Sequence, residues 1–348
     1  MNGDAQLIGS TATGALSVGA LTVPGRAFLA PMAGVTDLGM RRAAARFGAG
    51  LVVSEMLAAD FLEDAGSAAR ARGDGLDLHV VQVAARDPSA IADAARMAID
   101  CGADMVDINM GCPARRVVGG YAGAALMREP DLAASLVRAV VAVVAVASAG
   151  RVPVSVKMRL GWDEATKNAP EIARRAELEG AAMVAVHGRT RNQFYKGAAD
   201  WAAIADVRAA TALPLVANGD CASLPDARDM LRLSGADAVM IGRAAVGRPW
   251  LVGEIAAGLA GAAWRAPAPG DRTEAALAHL DALLCAMGRD KGLRHARKHL
   301  AAYADVAAAE GFGLAPAERA RLVETASAED AAGLLAACWS APGGRRAA

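Results

Sequence analysis

Cys112 stands between Gly111 and Pro113 in the stretch DINMGCPARR (107–116), where packing alone gives no evident reason for a thiol. A free cysteine is most often a small buried residue, but one at the end of an apolar run can also be a reactive group. Other residues with chemical uses recur in similar places. Lys157 lies in VKMR (156–159), and an ammonium there can offset negative charge growing on a cofactor ring or a substrate carbonyl. Val154 and Val156 make its run too apolar for an exposed strand. Gln82, in VVQV, offers an amide to the edge of a heterocycle, and His187, in VHGRTR, has Arg189 and Arg191 beside it, which suggests an anion or a substrate. Gly219 in ANGD and Gly242 before Arg243 in IGRAAVGRPW let backbone N–H groups approach an anion while the arginine supplies charge.

These residues need elements to bring them together. Eight short apolar runs recur: RAFLAPMA, GLVVSEM, VVQVAA, MVDINM, VPVSVKMR, MVAVHGR, PLVANGD and AVMIGRA. Helix-like segments such as PSAIADAARMAID, PDLAASLVRAVVAVV, APEIARRAELEG and LPDARDMLRLSG lie between them. Continuous apolar strands alternating with helices imply a buried parallel sheet. Eight units over about 230 residues fit a (β/α)₈ TIM barrel, for which roughly 250 is typical. A doubly wound sheet is the alternative, but no GxGxxG follows the first strand. Met32, Gln82, Asn109, Lys157, His187, Asn218 and Arg243 all fall at or just past strand ends, the rim on which barrel active sites are built. The seventh and eighth strands end in the two glycine motifs, at the usual phosphate-binding place of this fold. That suggests a phosphorylated cofactor, FMN in preference to a dinucleotide, because nothing resembles an adenosine site. After the last strand the pattern changes. The expected order is a flexible extension (1–20), a flavin-binding barrel (21–262), a linker (263–270), a small all-helical domain (271–340) opening with Asp271 and Glu274 at capping-box spacing, and a disordered tail (341–348).

The 348 residues are 54% hydrophobic, enough for a large and a small domain each with a core. Formal net charge is zero, so a polyanion must be met by a local patch. RDKGLRHARKH (289–299) is such a patch: Arg294, Arg297 and Lys298 fall at i, i+3 and i+4 and are expected to share a helix face. Five scattered cysteines without CxxC pairs argue for a reduced, cytoplasmic protein and against a disulfide frame or a zinc site, and no metal is expected. The first residues lack the basic and apolar regions of a signal peptide. No run reads as long enough to span a membrane, LVRAVVAVVAVASAG being too short.

APMAGVTD (30–37), VSEM (53–56), DINMGCPARRVVGGYAGAALM (107–127), VKMRLGW (156–162), VHGRTR (186–191), VANGD (216–220) and ADAVMIGRAAVGRPW (236–250) resemble a tRNA-dihydrouridine synthase. The RxxRKH element (294–299) is similar to the bacterial B-type branch. The resemblance implies reduction of the C5=C6 bond of specific tRNA uridines by FMN, itself reduced by NADPH (or NADH); a monomer is expected. It places Pro31, Met32 and Ala33 against the flavin, Gln82 and Lys157 on its ring, and His187 near the ring or the base. It assigns Asn218, Gly219, Asp220, Gly242 and Arg243 to the ribityl phosphate end, Asn109 and Arg189 to the target uridine, and Cys112 to proton donation. A free thiol suits that task, since an ordinary pKa of about 8.5 keeps it mostly protonated at neutral pH. Arg115 and Arg116 can meet RNA phosphates, as can Arg294, Arg297 and Lys298. The competing readings are an FMN-dependent oxidoreductase of a free pyrimidine, similar to a dihydroorotate dehydrogenase, and a non-catalytic RNA-binding regulator.

Overall fold

The structure, a computed structural model, describes residues 14–58, 72–119 and 122–340. The chain enters through an antiparallel hairpin, β1 (Leu16–Val18) with β2 (Leu21–Val23), then forms β3 (Ala27–Leu29), helix α1 (Leu38–Arg46), β4 (Leu51–Val52) and β5 (Leu57–Ala58). Next come β6 (Val80–Ala84), α2 (Pro88–Asp100), β7 (Met105–Met110), the short α3 (Arg115–Gly119) and α4 (Pro130–Ser148). The barrel continues with β8 (Val154–Arg159), α5 (Ala169–Leu178), β9 (Met183–His187), α6 (Ala205–Ala210), β10 (Leu215–Asn218), α7 (Leu224–Ser234), β11 (Ala238–Ile241) and α8 (Trp250–Leu259).

All nine sheet strands are parallel, in the order β4-β3-β11-β10-β9-β8-β7-β6-β5. The expected eight runs are all present, and the second barrel strand is broken in two, its second half lying just past the run GLVVSEM. Leu51 and Val52 pair with β3, Leu57 and Ala58 pair with β6, and between them Val53 bridges Val80, which closes the ring into a (β/α)₈ barrel. Polar side chains start the ring helices where the sequence puts short acceptors before a helical run. Asp37 accepts from the Met40 N–H, Asp87 from Ser89 and Ala90 ahead of Pro88, and Ser223 from Asp226.

Period-two alternation sorts each strand into two faces. The outward set, such as Val81, Val106, Ile108, Val156, Val184, Ala217 and Val239, packs against the helices. The inward set changes character along the barrel axis. Val80, Met105, Met183, Val216 and Ala238 form an apolar layer at the N-terminal end, where Val18 and Val23 of the hairpin join them. One or two inward positions further on, the residues become Gln82, Asp107, Asn109, Ser155, Lys157, Arg159, His187 and Asn218. The hairpin corrects the expected flexible extension over its residues 14–20, since it buries Val18 completely; the remainder, 1–13, and the tail 341–348 lie outside the described residues.

The C-terminal region is all-helical: α9 (Pro269–Met287), α10 (Arg289–Ala309), α11 (Pro316–Glu324) and α12 (Ala328–Ala337). α9 begins at Pro269, inside the stretch read as linker. Asp271 lies in its first turn and accepts from the Ala268 N–H at 3.0 Å, and Glu274 is spent elsewhere, pairing with Arg46 of α1 at 2.7 Å. The helices share a core in which Trp339 meets Trp250 and Tyr303 edge-on, so that a side chain of α8 belongs to both regions. Two glycines allow the close contact: a Cβ on Gly39 would lie 2.7 Å from His279 Cδ2, and one on Gly247 only 2.5 Å from the Ala302 carbonyl oxygen.

By length and apolar composition α4 could cross a membrane, contrary to the sequence expectation. It sits in the barrel's outer ring instead. Ala133, Leu136, Val137, Val140 and Val144 face inward, and its two charges, Asp131 and Arg138, pair with Arg175 of α5 and with Glu179 just beyond it.

Candidate active site

The polar inward layer is a connected network. Asp107 is inside β7, in register with Gln82 on one side and Ser155 on the other. Its two oxygens accept from Gln82 Nε2 and Ser155 Oγ, both at 2.7 Å. Burial pushes its carboxyl up, while the bonds from Ser155 and Gln82 and the nearby Lys157 charge pull it down. Gln82 Oε1 accepts from Asn109 Nδ2 at 2.7 Å, and Asn109 Oδ1 accepts from the backbone N–H groups of Gly111 (3.1 Å) and Cys112 (2.9 Å). Asn109 is thus a buried bracket that shapes the loop after β7. Arg159 fixes the same loop from β8 by donating to the Gly111 carbonyl at 2.8 Å, and it also donates to the carbonyls of Thr190 and Phe194. The Cys112 carbonyl accepts from Ala124 N–H, and Gly123 (φ 60°) lies so close that a Cβ there would fall 2.9 Å from that oxygen. Cys112, half-buried and free, is therefore held at the rim beside Lys157 and Arg159. The helix that follows carries Arg115 and Arg116, whose side chains lie outside the described ones.

Lys157 donates to Asn218 Oδ1 at 3.0 Å, and Asn218 Nδ2 donates to the Met240 carbonyl at 2.7 Å. The side chain is half-buried, but its ammonium sits deep enough that desolvation, then Arg159, lowers its pKa to about 8. His187 is buried among Lys157, Arg159, Arg189 and Arg243, and burial followed by those charges holds its pKa well below the usual range. Its imidazole is therefore neutral. Arg189 NH1 lies 3.4 Å from Nε2, and a guanidinium can only donate, so Nε2 is the acceptor and Nδ1 keeps the proton.

Gly219 and Gly242 stand where the sequence reading puts a phosphate. Gly219 (φ 120°) is packed against His187, where a Cβ would lie 2.9 Å from the ring's Cδ2. In front of Gly242 the space is open: a Cβ there would meet only Met32 Sδ at 3.7 Å and Ala30 Cβ at 3.9 Å. Pro31 and Met32 are half-buried and Ala33 is exposed, on a turn tied by Met32 N–H to Thr36 Oγ1 at 2.9 Å. Two assignments change here. Arg189 spends all five N–H donors inside the protein, on Asp220 Oδ1 and Oδ2, His187 Nε2, and the carbonyls of Lys196 and Gly197, so it has none left for a uridine. Asp220 is itself an anion and cannot hold a phosphate. Its carboxylate accepts from Arg189, from the Ala199 N–H at 2.9 Å and from Arg243 NH2 at 3.2 Å. Burial works against its charge, but those partners hold its carboxyl below the usual range. Asp220 thus positions Arg243, whose side chain is 59% exposed at the rim.

Asp107, Ser155, Arg159 and Tyr195 received no role from the sequence. The first three share the alternation parity of Asn109 and Lys157, a signal that was present. Tyr195 is half-exposed on the loop after β9, with Arg243 4.8 Å and Arg159 5.5 Å from its ring centre, and no periodicity marks it. On α10 the basic residues separate. Arg297 turns toward α11 and donates to the Glu324 carbonyl at 3.3 Å, so it leaves the face expected for it. Arg289 pairs with Glu329. Lys291, Arg294 and Lys298 are exposed, and Lys298 reaches the β3 turn, where a Cβ on Gly34 would lie 3.5 Å from its Nζ.

Residues 28–330 match the family described as "Dihydrouridine synthase (Dus)". Proteins named "Probable tRNA-dihydrouridine synthase" are similar to this chain. That of Rhizobium leguminosarum bv. phaseoli is 51% identical over 285 residues, 81% of this chain and 86% of the relative. That of Rhodobacter capsulatus is 51% identical over 300 residues, covering 84% and 90%. The "tRNA-dihydrouridine synthase B" of Xanthomonas campestris pv. campestris is 47% identical over 293 residues, covering 83% and 86%. Among solved structures, 2-naphthoyl-CoA reductase superposes with a TM-score of 0.55 at 13% identity, over 71% of this chain and 52% of that one. Histamine dehydrogenase from Rhizobium sp. 4-9 gives 0.52 at 14%, over 78% and 51%. These distant likenesses concern the fold alone. The sequence relatives reach much further, and the chain belongs to the dihydrouridine synthase family of oxidoreductases.

Proposed function

We propose that this protein reduces uridine in tRNA to 5,6-dihydrouridine, with FMN as cofactor, a nicotinamide donor (NADPH or NADH) as reductant and Cys112 as proton donor, acting as a monomer in the cytoplasm. The names of its relatives support the substrate. The rim supports the cofactor: open space at Gly242 beside Met32, a glycine backbone at Gly219, and cationic Arg243 and Lys157 suit a phosphorylated, electron-accepting ring system. Pro31, Met32 and Ala33 would lie along one side of it, Gln82 and Lys157 would meet its ring, and Asn218, Gly219, Gly242 and Arg243 would hold its phosphate end. Bound there and reduced, FMN would supply a hydride to C6 of the uracil ring.

The other steps belong to the chain. Negative charge then grows on C5 and on the C4 carbonyl oxygen, and an acid must protonate C5. The Cys112 thiol can do so, and the loop built by Asn109, Arg159 and Gly123 holds it at the opposite side of the rim from the phosphate motifs. Lys157 offsets the developing charge. Neutral His187 has one N–H, at Nδ1, to offer a carbonyl without adding a cation. Asn109, with one amide N–H still unspent, can bond the base, whereas Arg189 serves by holding Asp220. A uridine inside folded RNA must be flipped out to reach a barrel mouth. Lys291, Arg294 and Lys298 would meet its phosphates, as would Arg115 and Arg116. The fixed Cys112 loop is the observation that carries this reading.

Cys112→Ala separates its parts. Flavin content and nicotinamide-driven flavin reduction are expected to stay near wild type, because that half-reaction needs no acid on the uracil, while dihydrouridine formation in tRNA stops. Wild-type dihydrouridine formation by the variant would remove Cys112 from the mechanism.

A further inference from the structure

Three of the chain's five histidines gather between the barrel and the helical region, outside the site described above. They surround Asp37, the N-cap of α1, at the end of the turn that carries Pro31–Ala33. His279 Nε2 lies 3.1 Å from Asp37 Oδ2, and its Nδ1 lies 3.1 Å from the Tyr303 hydroxyl. His299 Nε2 comes within 3.5 Å of the same carboxylate, yet this nitrogen, on a side chain only 2% exposed, has no hydrogen-bond partner. His295 stands four residues earlier on α10, so the two imidazoles share a helix face, the spacing helices use to offer two nitrogens to one ion. One ligand atom each from Asp37, His295 and His299 lies within 4.8 Å of the others.

We infer that this junction binds a divalent cation of the zinc class through Asp37, His295 and His299. Two imidazoles and a carboxylate are a donor set for borderline divalent ions, with a fourth position left for water. Ligands at about 2.0–2.2 Å from an ion stand closer together than these do, so loading must draw His295 inward. His295 is half-buried at the outer edge and hydrogen-bonded to the Gly34 backbone, so the ion has a way in and that bond must yield or turn with the ring. The outer shell is already built. Asp37 accepts from the Met40 N–H at 3.1 Å and is bonded by His279, which Tyr303 steadies in turn. Burial holds both His295 and His299 below their ordinary pKa, which favours the neutral imidazole with one free ring nitrogen that an ion needs. One cation competes: Lys298 Nζ lies 3.1 Å from His295 Nε2. It is on the exposed face of α10 with a long flexible stem and can swing out to solvent. A bound ion would then tie the helical region to the turn beside the flavin. The expectation of no metal rested on cysteine spacing, which does not register a histidine pair on a helix.

The test is zinc retention by flavin-loaded protein, first stripped with a chelator, then exposed to micromolar zinc and gel-filtered. Wild type should keep one equivalent and gain thermal stability from it. Replacement of buried His299 endangers the fold, so half-buried His295 carries the test. His295→Ala, shown folded by its flavin content and its metal-free melting temperature, should bind more than about tenfold more weakly. Lys298→Met, which removes the competing charge, should bind more tightly. Failure of wild type to retain zinc, or equal retention by wild type and His295→Ala, would overturn the inference.

Discussion

Burial decides which rim residues can act on a ligand. Arg189 and Arg243 both contact Asp220, but the first is 2% exposed and saturated while the second is 59% exposed and makes one contact with it. A residue list cannot separate them, because both are arginines at strand ends; only the partners do. Lys157 carries the clearest expectation at this scale. Desolvation and Arg159 bring its pKa to about 8, so it is a cation below that pH and loses its charge as pH rises through it. If it offsets charge on the reacting ring, turnover on tRNA should fall on the alkaline side with an apparent pKa near 8 in a pH–rate profile. Lys157→Met should abolish that limb and lower kcat roughly a hundred- to thousandfold, as when other charge-stabilising donors are removed. The stability effect has the opposite sign. The folded pKa lies below the ordinary 10.5, so the unfolded chain binds more protons between the two values and stability rises with pH across that window. The uncharged variant should therefore melt higher than wild type at neutral pH, measured by thermal unfolding.

The barrel strands were readable as elements because apolar residues occupy both of their faces, and the structure places all eight. The ring helices were equally legible from capping residues such as Asp87 before Pro88 and Ser223 before Leu224. The break in the second strand was not, since VVSEM has the composition of a continuous strand and only the pairing of Val53 with Val80 shows where the ladder changes partner. Within the strands, the polar inward layer was half read: Gln82, Asn109 and Lys157 stood out at run ends, while Asp107 and Ser155 were hidden deeper in the same runs. Gly219, at the end of β10, shows how tightly the strand ends are packed. Its φ of 120° disfavours any side chain, and an added methyl would press on Ala199 Cβ at 2.8 Å and on His187. Gly219→Ala should cost roughly 1–3 kcal/mol of stability, read from the urea midpoint, and should yield paler protein because the phosphate backbone and His187 move together. Unchanged flavin content would separate Gly219 from the cofactor.

At the scale of the molecule, the helical region is fastened to the barrel by close backbone contacts at Gly39 and Gly247, by the shared Trp250 and by the Asp37–His279 bond, whose partners lie 242 residues apart in sequence. No periodicity predicts a contact of that range, which is why the helices could be recognised while their docking could not. The consequence is that Lys298, one of the exposed cations of α10, reaches the β3 turn at the barrel mouth. Replacing Lys291, Arg294 and Lys298 together by alanine, a good helix former, should leave flavin reduction unchanged and weaken tRNA binding. It should also flatten the salt dependence by roughly 0.7–0.9 in the slope of log K against log salt for each lost contact. An unchanged affinity and slope in binding titrations would leave this face without a role in RNA recognition. The central claim is that the barrel mouth reduces uridine within tRNA, and mapping dihydrouridine in tRNA from cells with and without this protein tests it most directly. Loss of dihydrouridine at defined positions without the protein, restored by wild type and not by Cys112→Ala, is the expected result. An identical dihydrouridine map in both cells, with purified flavoprotein turning over a free pyrimidine instead, would contradict it.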